Sequence, residues 1–256
     1  MQQVRAKKNL GQHFLTDESI AQRIADSVGG LSPNLLEIGP GMGMLTKYLA
    51  GDTRYCFKVV ELDRESVDYL HANYPELEVV GADFLKLDLR TIFSQGDITI
   101  IGNFPYNISS QILFRVFDQR SIVPEVVGMF QKEVAERVAA APGSKTYGIL
   151  SVLLSAFYDI EYLFTVHEHV FNPPPKVKSA VIRLRRNGVE HLGCNEQLFV
   201  RLVKTAFNQR RKTLRNALKP LEVPLDCIPS EILAKRAEQL SVADYVGICS
   251  EIEKII

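Results

Sequence analysis

Through residues 34–130 the chain alternates between short apolar or β-branched runs and stretches of helical period, with Gly, Asp or Asn at most hand-overs. The runs at 34–38, 55–61, 78–80, 97–102 and 124–130 read as buried strands, and 178–185 alternates like a strand completing a hairpin. Helical periods are predicted over 17–28, where Thr16 or Asp17 can cap, from 64, over 109–117, from 131, and over the apolar stretch 147–157. From about residue 187 the pattern turns wholly helical, at 197–207, 212–218, 231–240 and 242–255. This predicts an α/β domain over residues 1–186, with an N-terminal arm, followed by a small all-helical domain over 187–256.

The strand at 97–102 runs into Asn103-Phe104-Pro105-Tyr106-Asn107. A proline holds the residue before it out of the helical region, so Asn103 and Tyr106 stand on a stiff turn at a strand's carboxyl end, where open α/β sheets place their ligands. The turn offers the Asn103 amide oxygen, an unencumbered carbonyl beside Pro105, and the flat face of Tyr106. An exocyclic amine on a planar base needs two acceptors for its protons and a ring to lie against. The fit is to a flipped-out adenine or cytosine. An Asx-type turn with a packed Tyr explains the same residues without any ligand.

Upstream, the strand at 34–38 passes Glu37 and enters a turn with glycines at alternate positions, Gly39, Gly41 and Gly43. That is not the dinucleotide spacing, and it suits a cofactor lacking a pyrophosphate. The next strand ends in Glu61, where a carboxylate can grip two ribose hydroxyls, and a third leads to Asp83, which can accept from an adenine amine. Each acid alone would more often be a surface residue. Their order at successive strand ends, with Asn103 at a fourth, argues for one nucleoside site.

The 256 residues are 46% hydrophobic with formal net charge zero, yet twelve Lys and Arg stand against two Glu from Val170 to Lys219, so that segment carries +10. Such a run is usually a solvated face; beside a base-amine pocket, a surface tracking an RNA backbone explains it better. Lys7 and Lys8 make the amino-terminal arm basic as well; His13 and Leu15 on the same arm can cover a cofactor, and an ordinary arm packed on the sheet explains the same residues. Cys56, Cys194, Cys227 and Cys249 show no metal-ligand spacing, and His167 and His169 fall on one side of a strand without a third ligand, so no metal is expected. Neither a targeting signal nor an apolar run of membrane-spanning length is evident, so the expected setting is cytoplasmic.

The series EIGPGMG, ELD, GADF and NFPYNIS resembles a class I S-adenosylmethionine-dependent methyltransferase acting on adenine amines. GQHFL, QKEVAERV, KTYGILSV, FNPPPKVKSAVIRL and FNQRRKTLRNAL extend the likeness nearly end to end, to the small-subunit (16S-type) ribosomal RNA adenine N6-dimethyltransferase family. His13 departs from the Asn common in bacterial members, and Phe104 from the usual Leu; His13 also raises the prospect of pH-sensitive cofactor affinity. The resemblance implies a Rossmann-like, mostly parallel seven-stranded sheet and S-adenosyl-L-methionine as cofactor. It implies cofactor contacts from His13, Leu15, Gly39, Gly41, Glu61, Leu62, Asp83, Phe84 and Asn103, and catalytic roles for Asn103, Pro105 and Tyr106, with Phe171 closing the far face of the target base. Lys7, Lys8, Lys176, Lys178, Arg210, Arg211, Lys212 and Arg215 would bind RNA.

The implied reaction is dimethylation of two adjacent adenines in the 3′-terminal hairpin loop of small-subunit ribosomal RNA, by a monomer acting on an immature small subunit late in its assembly. A sister enzyme acting on large-subunit RNA, of the macrolide-resistance type, is the nearest rival. An assembly checkpoint factor with secondary catalysis is another, and a nicotinamide oxidoreductase is disfavoured by the glycine spacing.

Overall fold

The structure is a computed structural model that describes residues 4–255. In chain order its elements are β1 (Phe14–Leu15), α1 (Glu18–Ala25), β2 (Asn34–Ile38), α2 (Thr46–Leu49), β3 (Cys56–Glu61), α3 (Arg64–Asn73), β4 (Glu78–Gly81), β5 (Ile98–Asn103), α4 (Ser109–Asp118) and β6 (Glu125–Gln131). There follow α5 (Lys132–Val138), α6 (Ile149–Ser155), β7 (Tyr158–Val166), β8 (Phe171–Asn172), β9 (Ser179–Arg186), α7 (Glu196–Asn208), α8 (Leu214–Ala217), α9 (Ser230–Leu233) and α10 (Val242–Glu253). Two compact units result: the residues up to Ala135 with Ile160–Arg186, and Glu136–Asp159 with the residues from Asn187 onward. Arg186 ends the first unit, whereas 136–159, assigned from sequence to the first domain, falls in the helical unit.

The first unit is built on a seven-stranded sheet of order β4-β3-β2-β5-β6-β9-β7. β2, β3, β4, β5 and β6 pair in parallel, and β9 runs antiparallel to β6. β2, β5 and β6 are apolar runs buried almost throughout, as expected of parallel strands covered on both faces. The strand order reverses at β2, which puts a crevice at the carboxyl ends of β2, β3 and β5. Asp17 caps α1 by accepting from the Ile20 amide, and Asp63 caps α3 by accepting from that of Glu65.

One buried acid in this unit serves structure alone. Glu125, fully buried at the start of β6, accepts from the Gly29 amide at 2.9 and 3.0 Å and from Arg185 Nε at 3.0 Å, so its charge is both paired and hydrogen-bonded.

The helical unit gathers α6, α7, α8, α9 and α10 around Phe199, Leu202, Val203, Tyr245 and Ile248. Phe207 lies between Tyr147, at 6.1 Å, and Tyr245, at 6.4 Å, and the Tyr245 hydroxyl donates to the Ala237 carbonyl at 2.9 Å. The single helix expected over 231–240 is instead α9 and a separate 3-10 turn at Ala237–Gln239. Between them the Leu214 amide donates to the Lys235 carbonyl and Thr213 bridges Arg236, so this backbone pairs sideways rather than along a helix axis. The same bridge delays α8, expected from 212, to Leu214.

Two further expectations change. The sequence pattern does not predict β7, and because it ends at Val166, His167 caps and His169 lies within a 3-10 turn, Glu168–Val170, rather than the two sharing a strand face. A two-stranded ribbon also forms outside the main sheet, where β1 pairs with β8 and Leu15 stands opposite Phe171. No helix among the described residues is long and apolar enough to cross a membrane.

Candidate active site

β5 ends at Asn103, and the turn beyond is held by packing at Phe104, which is 1% exposed. Its amide donates to the Met129 carbonyl at 3.1 Å and its ring lies 4.9 Å from that of Phe130. Gly102 on β5 and Gly128 on β6 are register partners, and the Phe104 ring fills the space that their side chains would take. A Cβ at Gly102 would stand 2.7 Å from the ring, and one at Gly128 would overlap it. Buried aromatic and paired glycines thus fix where Asn103 and Pro105 emerge.

Asn103 Nδ2 donates to the main-chain carbonyl of His13 at 3.0 Å. A carbonyl can only accept, so the amide nitrogen must face the arm and the amide oxygen the other way. Tyr106 and Ser179 share a hydrogen bond at 2.5 Å between their hydroxyls, and burial raises the Tyr106 pKa. The Tyr106 ring is met by His13, centroid to centroid 5.1 Å at 31°. His13 Nδ1 in turn donates to the Pro173 carbonyl at 2.8 Å, tying the arm to the loop that follows β8.

Two sequence expectations are corrected here. The Pro105 carbonyl is not unencumbered: it accepts from Ser109 Oγ at 3.0 Å and from the Ile108 amide at 3.3 Å, closing the turn into α4. Phe171, expected to close the far face of the target base, is not part of the lining of the cavity that Tyr106 lines; pairing opposite Leu15 draws its ring into the apolar core, where it is 4% exposed.

The remaining predicted residues converge. His13, Gly39, Gly41, Glu61, Leu62, Asp83, Phe84, Asn103, Pro105 and Tyr106 line a cavity of about 180 Å³, and Leu15 lines an adjoining one of about 350 Å³ that shares Phe14, Gly39 and Asn103. Together the two spaces match the few hundred to about 1,000 Å³ of small-molecule sites. Gly41 takes φ +56, and a Cβ there would stand 2.8 Å from Phe14, so both backbone and space require glycine. Glu61, 5% exposed, accepts from the Gly41 amide at 3.0 Å and the Asp63 amide at 2.8 Å, holding the glycine turn against the end of β3. Burial raises its pKa. Leu62 is 57% exposed at the cavity's lip.

Sequence reasoning assigned no role to Glu37, Gln12 or Asp63. Glu37 is buried under the glycine turn, accepts from Thr46 Oγ1 at 2.7 Å, and is pushed up to about 8 by burial. Lys7, expected to bind RNA, pairs with Asp63 at 2.5 Å and Glu65 at 3.0 Å, while Gln12 reaches Asp63 at 3.4 Å. Although burial pushes Asp63 up, these partners hold its carboxyl below the usual range. The arm is thereby latched beside Glu61.

Of the other basic candidates, Lys8, Lys176, Lys178, Arg211, Lys212 and Arg215 are exposed. Arg210 is committed within the helical unit, donating to the Lys145 carbonyl at 2.7 Å and pairing with Glu238 at 3.6 Å.

The model of the ribosomal RNA adenine dimethylase family matches residues 3–254. The chain belongs to this family. It is 59% identical over 252 residues to the ribosomal RNA small subunit methyltransferase A of Cytophaga hutchinsonii, covering 97% of each chain. With the protein of that name from Flavobacterium johnsoniae it shares 56% identity, covering 99% of this chain and 98% of the relative. A dimethyladenosine transferase from Plasmodium falciparum superposes with a TM-score of 0.78 at 27% identity, covering 94% of this chain and 98% of that one. The 23S rRNA methyltransferase ErmE shares the fold at TM-score 0.71 and 23% identity, covering 94% and 99%.

The family member is thus a class I methyltransferase in fold and a ribosomal RNA adenine N6-dimethyltransferase that uses S-adenosyl-L-methionine. The donor set fits that cofactor: carboxylates at the ends of β3 and β4, a cramped glycine turn, and an apolar lip at Leu62.

Proposed function

We propose that this protein dimethylates N6 of two adjacent adenines in the 3′-terminal hairpin loop of small-subunit ribosomal RNA, acting on the immature small subunit late in its assembly. The observation that carries the chemistry is the Asn103–His13 hydrogen bond, which turns the Asn103 oxygen outward as an acceptor. Support for the small subunit comes from relatives of that name matched over nearly their whole lengths.

When bound, the cofactor supplies a methyl group on a positively charged sulfur. Glu61 would hold its ribose hydroxyls, Asp83 its adenine amine, and Leu62 with Phe84 the base, while Gly39 and Gly41 let the backbone approach the methionine end. His13 and Leu15 on the latched arm would cover it. Asn103 Oδ1 would accept a hydrogen bond from one N–H of the target amine. The second acceptor is the Phe104 carbonyl, the next along the turn, since that of Pro105 is already engaged. Two acceptors favour a pyramidal nitrogen whose lone pair points at the methyl carbon, and they stabilise the charge developing on it. Tyr106 stacks on the extruded base, held in place by Ser179. Loop adenines cost least to extrude. Lys8, Lys176, Lys178, Arg211, Lys212 and Arg215 would track the phosphate backbone.

The test is methyl transfer from labelled cofactor to small and, in parallel, large subunits of a methylation-deficient strain, with nucleoside analysis. N6,N6-dimethyladenosine on small subunits alone is expected. Label on large subunits alone would overturn the substrate assignment.

A further inference from the structure

Outside the cavity, the helical unit holds a cluster that the linear sequence conceals. Cys194 lies in the connection ahead of α7, while Cys249 and Glu253 stand one helical turn apart on α10. Their two sulfurs and a carboxylate oxygen all lie within 4.8 Å of one another. Cys249 is fully buried, and Cys194 and Glu253 are half-buried. Cys56 and Cys227, the other two cysteines, are exposed and half-buried.

The surroundings orient this group. The Asn195 amide donates to Glu253 Oε1 at 2.8 Å, and Cys249 Sγ donates to the Asn195 carbonyl at 3.4 Å. Asn195 is itself fixed as the cap of α7, its Oδ1 accepting from the Leu198 amide at 3.0 Å. A carboxylate held by a backbone amide, as Glu253 is, is characteristic of ligands at metal sites.

We propose that Cys194, Cys249 and Glu253 bind one thiophilic divalent cation, zinc being the physiological choice. Two thiolates on a tetrahedral zinc at about 2.3 Å stand roughly 3.8 Å apart, so small side-chain rotations close the observed cluster onto an ion. Two S–H bonds break, two sulfur–metal bonds form, and two protons leave to solvent. A Glu253 oxygen supplies the third bond and water the fourth. The site pins the connection ahead of α7 to the last helix.

The experiment titrates the reduced, chelator-treated full chain with Cd²⁺, reading the ultraviolet thiolate-to-cadmium band and the protons released, then measures Zn²⁺ affinity against a chromophoric chelator. One equivalent should saturate the band with release of two protons. Cys194→Ser and Cys249→Ser should abolish the band, Cys56→Ser should leave it unchanged, and Glu253→Gln should weaken affinity by more than the roughly tenfold of an outer-shell loss. Circular dichroism checks each variant's folding, and if Cys249→Ser does not fold, the half-exposed Cys194→Ser decides. No saturable band in the wild type, or an undiminished band in Cys194→Ser, overturns the proposal.

Discussion

Asn103 donates its side-chain N–H to the carbonyl of His13 across 3.0 Å, joining residues from the strand end and the amino-terminal arm. One bond therefore sets both the polarity of the amide and the position of the arm. Asn103→Asp would set an oxygen against that carbonyl. Leaving the contact unmade costs about 1–3 kcal/mol, and calorimetry should show cofactor binding weakened by a comparable amount.

Glu37 makes stability fall with rising pH. Its folded-state pKa is raised from 4.5 to about 8, so its contribution is complete below the unfolded value and is lost between about 4.5 and 8, where the unfolded chain gives up a proton that the folded one keeps. Glu61, also raised by burial, acts in the same direction. Thermal unfolding should show the melting temperature declining across that window. Glu37→Gln, which can still accept from Thr46, should flatten the decline and melt higher than wild type at pH 8, a difference of order a few kcal/mol.

Phe104 and Gly128 are tested as a pair. Gly128→Ala places a methyl group in the Phe104 ring and should cost about 1–3 kcal/mol while slowing methyl transfer. Phe104→Leu makes room, so the double variant should be more stable than the sum of the single changes. Strict additivity in denaturant unfolding would contradict the packing account.

Two kinds of arginine stand side by side in 210–215. Replacing the exposed Arg211, Lys212 and Arg215 with Gln should weaken substrate binding and reduce its salt slope by about 0.7–0.9 per lost phosphate contact, with cofactor affinity unchanged. Arg210→Gln removes bonds to Lys145 and Glu238, so its main effect should be on thermal stability.

These contrasts mark what a linear reading could reach. The strand ends carrying Glu61, Asp83 and Asn103 were legible because each follows a compact apolar run, and parallel sheets gather such ends at one edge. The glycine turn was legible because alternate glycines mark a backbone that side chains would obstruct. β7 left a partial signal, Tyr158, Ile160, Tyr162, Phe164 and Val166 alternating with Asp159, Glu161 and Thr165, which Leu163 breaks and the adjacent apolar stretch hid. The β1–β8 ribbon is two residues long on each side and leaves no periodicity, so neither the burial of Phe171 nor the His13–Tyr106 contact could be foreseen. The Pro105 carbonyl looked free because its hydrogen bonds come from Ile108 and Ser109, whose turn the local sequence does not announce. Cys194 and Cys249 meet only through the packing of α7 and α10 in the helical unit.

The central claim is that Asn103 acts on the target amine and not merely on the arm. Single-turnover methyl transfer to small subunits, with cofactor at saturating concentration, measures this directly for Asn103→Ala. The account predicts a rate loss of about 10²-fold or more that added cofactor does not restore, while small-subunit binding is retained. A rate that returns to the wild-type value once the cofactor site is filled would contradict it, and would reduce Asn103 to a latch for the arm.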